Sequence, residues 1–384
     1  MKICLVGLDS LPVLSPAFRQ YTAGGESVQQ TLLARALVRR GHEVSLVVHD
    51  YGQPDDLRCD GVRVLKAYRP EAGWPIARFL HPRWTGLWSA LRRAAADLYY
   101  TSCAGMHVGM LAMYCKRHGS RFVFRSASDA DCDPSRLLVR FARDRWLYDY
   151  GLRRANAILV QSMVQAASLK RSFGLASRVA AMLIEQPAPT VNRDIDLIWV
   201  ANIRNVKRPD RILALARQCP DMRIHLVGGP LPGEEALFES VQRDVQALSN
   251  VICHGRVSYS DANDLYGRAR LLINTSDVEG FPNSFLQAWI RGVPVVTLFD
   301  PDGVIGTHGL GVTVAHFDGM HDAVRTLLAD SAQWSATSDR CRRFMDRYYR
   351  DDDVVTAYVD TFERVLRDGA IEPDAPIPAE AGHG

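Results

Sequence analysis

The chain has 384 residues, 47% of them hydrophobic and 23% charged, and carries a formal net charge of +3. That length exceeds one ordinary core and predicts two domains of roughly 150–200 residues, while the composition excludes a disordered chain. So small a charge excludes bulk nucleic-acid binding, and any basic site must be local.

In chain order, Ile3–Val6 reads as a buried strand ending at Gly7. A polar loop follows. Residues 27–40 then place Val28, Leu32, Leu33 and Leu37 on one helical face, and Gly41 supplies a left-handed stop. Val44–Val48, Val62–Leu65, Leu98–Tyr100, Phe122–Phe124 and Ile158–Val160 read as further strands, the later ones with helices between. Strands separated by helices predict a parallel sheet. Continuous apolar runs fit, because such a sheet is covered on both faces.

The beat stops at Gln186-Pro-Ala-Pro-Thr-Val-Asn-Arg193, which reads as the domain boundary. It restarts with Leu197–Val200, Ile224–Val227, Val251–Cys253, Leu271–Ile273 and Val293–Val296. Asp351-Asp-Asp opens a helix whose Val355, Tyr358, Val359, Phe362 and Val365 form one stripe. The last residues are rich in Pro, Ala, Gly and Glu and are expected to be disordered. The divisions are 1–188, 189–350, a helix over 351–367 and a tail over 368–384.

The eight cysteines show neither metal-ligand spacing nor a disulfide framework. The first apolar run is too short for a secretory signal, and no stretch approaches the about 18 apolar residues of a spanning helix. A cytoplasmic protein is expected, with peripheral contact on the inner face of a membrane left open. Trp84, Leu87, Trp88 and Leu91 share one helical face that suits either an interfacial helix or a helix covering the sheet.

The strongest motif is Asn274-Thr-Ser-Asp-Val-Glu-Gly-Phe-Pro-Asn-Ser-Phe-Leu-Gln-Ala-Trp-Ile-Arg-Gly-Val-Pro-Val-Val296. It reads strand, polar loop, helix, glycine stop, strand, with Pro282 in the first helical turn. A helix starting at the carboxyl end of a strand is a ready anion site. Glu279 stands just ahead of it, where a carboxylate can accept from sugar hydroxyls. By pattern alone Glu279 is as readily a solvated loop acid. Asn283, Gln287 and Arg291 fall on one polar stripe.

Glu279-Gly-Phe-Pro-Asn-Ser-Phe-Leu-Gln-Ala-Trp289, with Gly-Val-Pro-Val-Val after it, resembles the donor signature of family 4 retaining glycosyltransferases of the GT-B fold. The resemblance implies two Rossmann-like, doubly wound parallel-sheet domains facing a cleft, with acceptor on the N-terminal side and nucleotide sugar on the C-terminal side. It implies that Glu279 meets the transferred sugar, and that Gly280, Phe281, Asn283 and Ser284 line the donor. The family's second Glu, which meets the ribose, is Gln287 here. An amide can still donate and accept.

Trp199-Val-Ala-Asn-Ile-Arg-Asn-Val-Lys-Arg-Pro-Asp210 resembles the family's diphosphate clamp. Lys207 matches the family's Lys. Asn202 stands where an Arg is usual, and Arg204 is its substitute two residues on. Two cations there would stabilise the charge growing on the leaving diphosphate. Gly24 and Gly25 match a glycine pair whose backbone approaches the donor phosphate, though alone the pair is a plain turn. Gly228, and Arg256 in His254-Gly-Arg-Val-Ser258, mark turns at strand ends.

On the acceptor side the family's histidine after the 122–124 strand is absent. Asp129 and Asp131 stand there instead and suit binding of acceptor hydroxyls or the donor sugar, with Asp129 a catalytic candidate, or else loop solvation and capping. His107 is a catalytic candidate, although a lone histidine is more often structural.

The reaction so implied moves a sugar from a nucleotide-diphosphate sugar to a hydroxyl of a glycan, lipid-linked or small-molecule acceptor, with retention, as in polysaccharide and glycoconjugate synthesis. No cofactor or metal is expected. Two other readings stay open. One is a sugar-nucleotide epimerase on the same architecture. The other is a non-catalytic nucleotide- or glycan-binding subunit, suggested by the missing Glu and histidine.

Overall fold

The computed structural model describes residues 1–21, 23–55, 57–74, 77–187, 192–231, 233–277 and 279–369. Parts of the expected boundary and nearly all of the expected tail lie outside these residues. The chain forms two compact units, Met1–Leu183 with Asp351–Gly384, and Ile184–Arg350.

The first unit is built on an eight-stranded sheet: β1 (Lys2–Val6), β2 (Glu43–Val48), β3 (Arg58–Cys59), β4 (Val62–Lys66), β5 (Leu98–Ser102), β6 (Arg121–Arg125), β7 (Ala157–Val160) and β8 (Arg178–Val179). Their order is β3-β4-β2-β1-β5-β6-β7-β8. Every pairing is parallel except β3 with β4.

Alternation explains why the strands read as unbroken apolar runs. Ile3 and Leu5 enter one core, while Cys4 and Val6 enter the core on the opposite face. The helix Asp351–Asp368 covers the first of these cores with Val355, Tyr358, Phe362 and Val365. Burying Val355, Phe362 and Val365 is worth roughly 1.5–3 kcal/mol each. Its acidic start is tied to the Gly25–Arg39 helix region by Arg39–Asp351 and Arg40–Asp352 pairs, each at 3.0 Å.

The second unit has a six-stranded, all-parallel sheet: β9 (Ile195–Val200), β10 (Ile224–Val227), β11 (Val251–Cys253), β12 (Ala269–Asn274), β13 (Val295–Thr297) and β14 (Gly311–Thr313). The order is β11-β10-β9-β12-β13-β14. Each unit is thus a Rossmann-like α/β domain.

Two details differ from the sequence reading, and one alternative it left open is decided. The first long helix begins at Gly25, so the glycine pair opens the helix itself. Pro282 is the extended cap before the Asn283–Ile290 helix (ψ 128°) and not part of its first turn. Leu87 and Leu91 are fully buried, and Trp84 and Trp88 pack on the same core. That face of the Thr85–Ala94 helix covers the sheet and is not offered to a membrane.

Candidate active site

In the second unit, β10 and β11 lie on one side of β9, while β12 lies on the other. The strand order reverses between β9 and β12, and open α/β sheets form a ligand crevice at the carboxyl ends of such strands. The loop after β9 brings Arg204 and Lys207 to this point. The loop after β12 brings Asn274, Ser276 and Glu279.

Glu279 collects three donors on one oxygen. Lys207 Nζ donates to Oε1 at 2.5 Å, Ser276 Oγ at 2.6 Å and Asn274 Nδ2 at 3.1 Å. Both partners of the ion pair are largely withdrawn from solvent: the Lys207 and Glu279 side chains are 14% and 11% exposed. The two loops are also stitched together. Trp199 Nε1 donates to Thr275 Oγ1 at 2.9 Å, and that hydroxyl donates to the Lys207 carbonyl at 2.8 Å. Asp277 N donates to the Val206 carbonyl at 2.9 Å. These bonds tie the two loops to each other, so the cation and the carboxylate are positioned together, as a preorganised site requires.

Arg204 stands three residues before Lys207, and its Nε is buried with no hydrogen-bond partner among the described residues. A buried guanidinium N–H without a partner is costly, and an anion would relieve it. Gly228 turns at φ +143°, where an added Cβ would lie 1.8 Å from the Ala201 carbonyl oxygen. Only glycine lets the loop after β10 pass so close to the end of β9. Arg256 is exposed and donates to the Pro230 carbonyl at 2.8 Å, across the adjoining turn. Asn202 is half-buried directly after β9.

The Asn283–Ile290 helix starts beside Glu279 and points the positive end of its dipole at this crevice. Phe281, Phe285 and Trp289 anchor it in the core. Gly280, Asn283 and Ser284 remain half-buried at its start. Gln287 is buried, and its amide is engaged at both ends. Nε2 donates to Tyr259 Oη at 2.6 Å, and Oε1 accepts from Arg291 Nη1 at 2.8 Å. Burial lowers the Arg291 pKa, and Tyr259, Tyr266 and Glu185 partly offset this. Two residues of the polar stripe, Gln287 and Arg291, thus form a buried polar network with Tyr259.

The first unit repeats the reversal between β1 and β5. Gln30 and Ser102 both donate to the Glu26 carboxylate at the carboxyl ends of these strands. Burial pushes the Glu26 pKa up, against those two hydrogen bonds and the nearby Arg125 charge. Arg125 ends β6 only 1% exposed, with Nε and Nη2 lacking partners among the described residues. His107 begins the Met106–His118 helix and its Nε2 lies 3.1 Å from the Ser102 carbonyl, as a donor in the neutral ring. Burial lowers its pKa. Gly24 caps the Gly25–Arg39 helix, and the space where its Cβ would stand is open.

Asp129 accepts from Gln165 Nε2 at 3.0 Å. Asp131 accepts from the Ala127 and Ser128 amides at 2.7 and 3.2 Å and closes a capping box with Ser128. Capping accounts for Asp131.

Sequence reasoning passed over Glu26, Ser102, Arg125, Asn274, Ser276 and Tyr259. Glu26 directly follows the glycine pair, and Arg125 ends an apolar run. Those two carried a visible signal. Among the described residues, no three His, Cys, Asp or Glu side chains gather as a metal site.

Comparison with known proteins gives this geometry a family. The family model described as Glycosyl transferase 4-like domain matches residues 24–183, and that described as Glycosyl transferases group 1 matches residues 195–330. No curated protein sequence matches the chain. Among solved structures, sucrose-phosphate synthase from Thermosynechococcus elongatus aligns at TM-score 0.76 with 16% identity, covering 95% of this chain and 99% of that one. HepE of Anabaena, in complex with UDP-glucose, aligns at 0.74 with 13% identity, covering 94% and 99%. The catalytic domain of starch synthase IV from Arabidopsis thaliana, bound to ADP and acarbose, aligns at 0.69 with 11% identity, covering 96% and 99%. With both halves matched by glycosyltransferase models and the whole fold shared with such enzymes, the chain belongs to the GT-B glycosyltransferases related to the 4-like and group 1 families, which act on nucleotide-sugar donors.

Proposed function

We propose that the protein transfers a sugar from a nucleotide-diphosphate sugar to a hydroxyl of a glycan, lipid-linked or small-molecule acceptor with retention of configuration. The observation that carries this is the Lys207–Glu279 pair at the β9/β12 crevice, with a buried Arg204 N–H three residues before Lys207 that has no partner among the described residues. Lys207 and Arg204 suit the diphosphate, with the positive end of the Asn283–Ile290 helix adding to their field. Glu279 suits the hydroxyls of the sugar. All three of its donors use Oε1, and none of them uses Oε2.

The ion pair has a mechanical consequence. A diphosphate arriving at Lys207 competes with Glu279 for the ammonium. As Lys207 shifts to phosphate, Glu279 gains capacity for sugar hydroxyls, so the two halves of the donor assist each other's binding. Growth of negative charge on the leaving phosphate then meets two cations, Lys207 and Arg204. That phosphate is also the base that takes the acceptor proton in a front-side displacement.

We assign Gly24, Gly25, Asn202, Gly228, Arg256, Gly280, Phe281, Asn283, Ser284 and Gln287 to the donor's surroundings, with Gln287 acting through its buried network. His107 and Asp129 belong to the acceptor side of this reading. Eight free cysteines suit a reducing, cytoplasmic setting.

The test is a thermal-shift panel of UDP, GDP, ADP and their sugars, followed by a transfer assay with the responsive donor. Only a bound nucleotide raises the melting temperature. Turnover of the donor without acceptor would favour an epimerase, and no shift with any nucleotide would overturn the donor site.

A further inference from the structure

A cavity of about 480 Å³ in the second unit takes no part in the chemistry above. It opens between the helices Pro209–Gln218 and Glu235–Gln246, beside the loop that carries Lys207. Its volume lies within the roughly 300–1,000 Å³ of small-molecule sites. The floor is apolar, made by Val206, Pro209, Leu213, Leu237 and Val241. Val206 is 37% exposed, so an apolar ligand would take its surface out of water.

Charge at the rim selects the ligand. Arg208, Asp210 and Asp277 stand there and satisfy one another. Arg208 meets Asp210 at 2.7 Å and Asp277 at 3.3 Å, and Arg211 meets the other Asp277 oxygen at 2.7 Å. Two carboxylates are thus matched by two guanidiniums. Asp244, on the Glu235–Gln246 helix, also lines the cavity and is exposed, with no ion-pair partner among the described residues. The uncompensated charge of the lining is therefore negative. An anionic ligand would meet that charge with no spare guanidinium to answer it, and a neutral one would gain only the floor.

We infer that this cavity is a regulatory site for an organic ammonium with an apolar body, and that its occupation opposes binding of the donor diphosphate.

The coupling rests on the reading of Lys207 as a diphosphate ligand. One loop separates the cavity from that lysine. Val206 and Arg208 line the cavity, while Lys207 between them turns to Glu279 Oε1 at 2.5 Å. The loop after β12 enters the same wall. Asp277 lines the cavity, and its N–H donates to the Val206 carbonyl at 2.9 Å. A ligand seated against Val206, Arg208 and Asp277 holds both loops where the Lys207–Glu279 bond is made. Diphosphate needs that bond released. A ligand favours the state it fits, and the two ligands weaken each other by the same factor.

The test compares benzylamine, a cation at neutral pH, with benzyl alcohol and benzoate, which match its size with no charge and with the opposite charge. Only benzylamine is expected to raise the melting temperature of the full chain at fixed ionic strength. Asp244→Asn, a surface change, is expected to weaken benzylamine binding about threefold to fivefold, the scale of one exposed ion pair. Ser240→Trp places a large ring on the cavity wall and is expected to abolish the response, with the melting temperature of the unliganded variant as the check on folding. Calorimetric titration of the responsive nucleoside diphosphate at saturating benzylamine should show Kd raised about fivefold or more. No shift with benzylamine, equal shifts with all three probes, an unchanged response in either variant, or an unchanged diphosphate Kd each overturn the inference. Failure of every nucleotide to bind strikes the donor reading and the coupling with it, whereas the benzylamine arms judge the cavity with no nucleotide present.

Discussion

Replacing Glu279 by Gln separates the two jobs assigned to the Lys207–Glu279 pair. The amide keeps the length of the side chain, and its oxygen can still accept from Asn274 Nδ2 and Ser276 Oγ, now 3.1 and 2.6 Å away. What goes is the charge that holds Lys207 at 2.5 Å. A hydrogen bond to a charged group is worth roughly 1.5–3 kcal/mol, so losing the carboxylate's grip on the sugar should lower kcat/KM by about 10- to 150-fold. Lys207, no longer competed for, should bind the nucleoside diphosphate at least as tightly as before. Lys207→Ala should instead weaken both diphosphate binding and transfer. Titration of the responsive diphosphate by calorimetry, beside a transfer assay with its sugar, reads both quantities. The reasoning fails if Glu279→Gln loses diphosphate affinity as severely as Lys207→Ala, or if its transfer rate stays within threefold of wild type.

Three further outcomes follow from the same geometry. Gly228→Ala forces a side chain onto φ +143° and a Cβ to 1.8 Å from the Ala201 carbonyl oxygen; a loss of roughly 2 kcal/mol or more is expected in denaturant unfolding, and an unchanged midpoint would contradict it. His225 Nδ1 and His254 Nε2 share a hydrogen bond at 2.9 Å, and the His225 pKa is lowered from 6.5 to about 4, first by burial and then by His254. The native state prefers the neutral ring, so stability from this group is complete above pH 6.5 and drains away as pH falls toward 4. His225→Phe should flatten that part of the pH–stability curve; a curve that keeps its slope refutes the assignment. Glu26 has the opposite sign. Its raised pKa means the native state favours the protonated acid, so stability falls as pH rises from the ordinary carboxylate value to the folded one. Glu26→Gln should remove that fall, which chemical denaturation across the acid range will show.

How much of this could be read in the sequence depends on where each element gets its stability. Strands such as β1, β6 and β10 are buried on both faces, so each is an apolar run that needs no structural context to recognise. Arg58–Cys59, Arg178–Val179 and Gly311–Thr313 were invisible because they are short edge strands held by backbone pairing with one neighbour. Gly311 makes the point directly, since its missing Cβ lets the backbone pass the Val295 carbonyl oxygen. Lys207 and Glu279 each belonged to a recognisable motif. Their contact spans 72 residues and exists because β12 crosses to the side of β9 away from β10, a choice no local pattern records. The burial of Gln287 was missed for a related reason: its partner Tyr259 opens a different helix.

The two units solve the same topological problem with different electrostatics, and the difference supports different jobs. Each reverses its strand order beside the first strand and places a carboxylate in the resulting crevice, Glu279 in one and Glu26 in the other. Glu279 is answered by a lysine from the loop after the neighbouring strand and by two neutral donors. Glu26 is surrounded by neutral donors in a desolvated pocket, and burial outweighs the Arg125 charge in setting its pKa. A carboxylate paired with Lys207, with Arg204 three residues away in sequence from that lysine, suits a diphosphate that needs charge neutralised and a sugar that needs acceptors. A carboxyl group that resists ionisation can donate as well as accept, which suits hydroxyls of an acceptor whose proton must leave. Exchanging the environments, and not the carboxylates, would therefore be the way to exchange the roles.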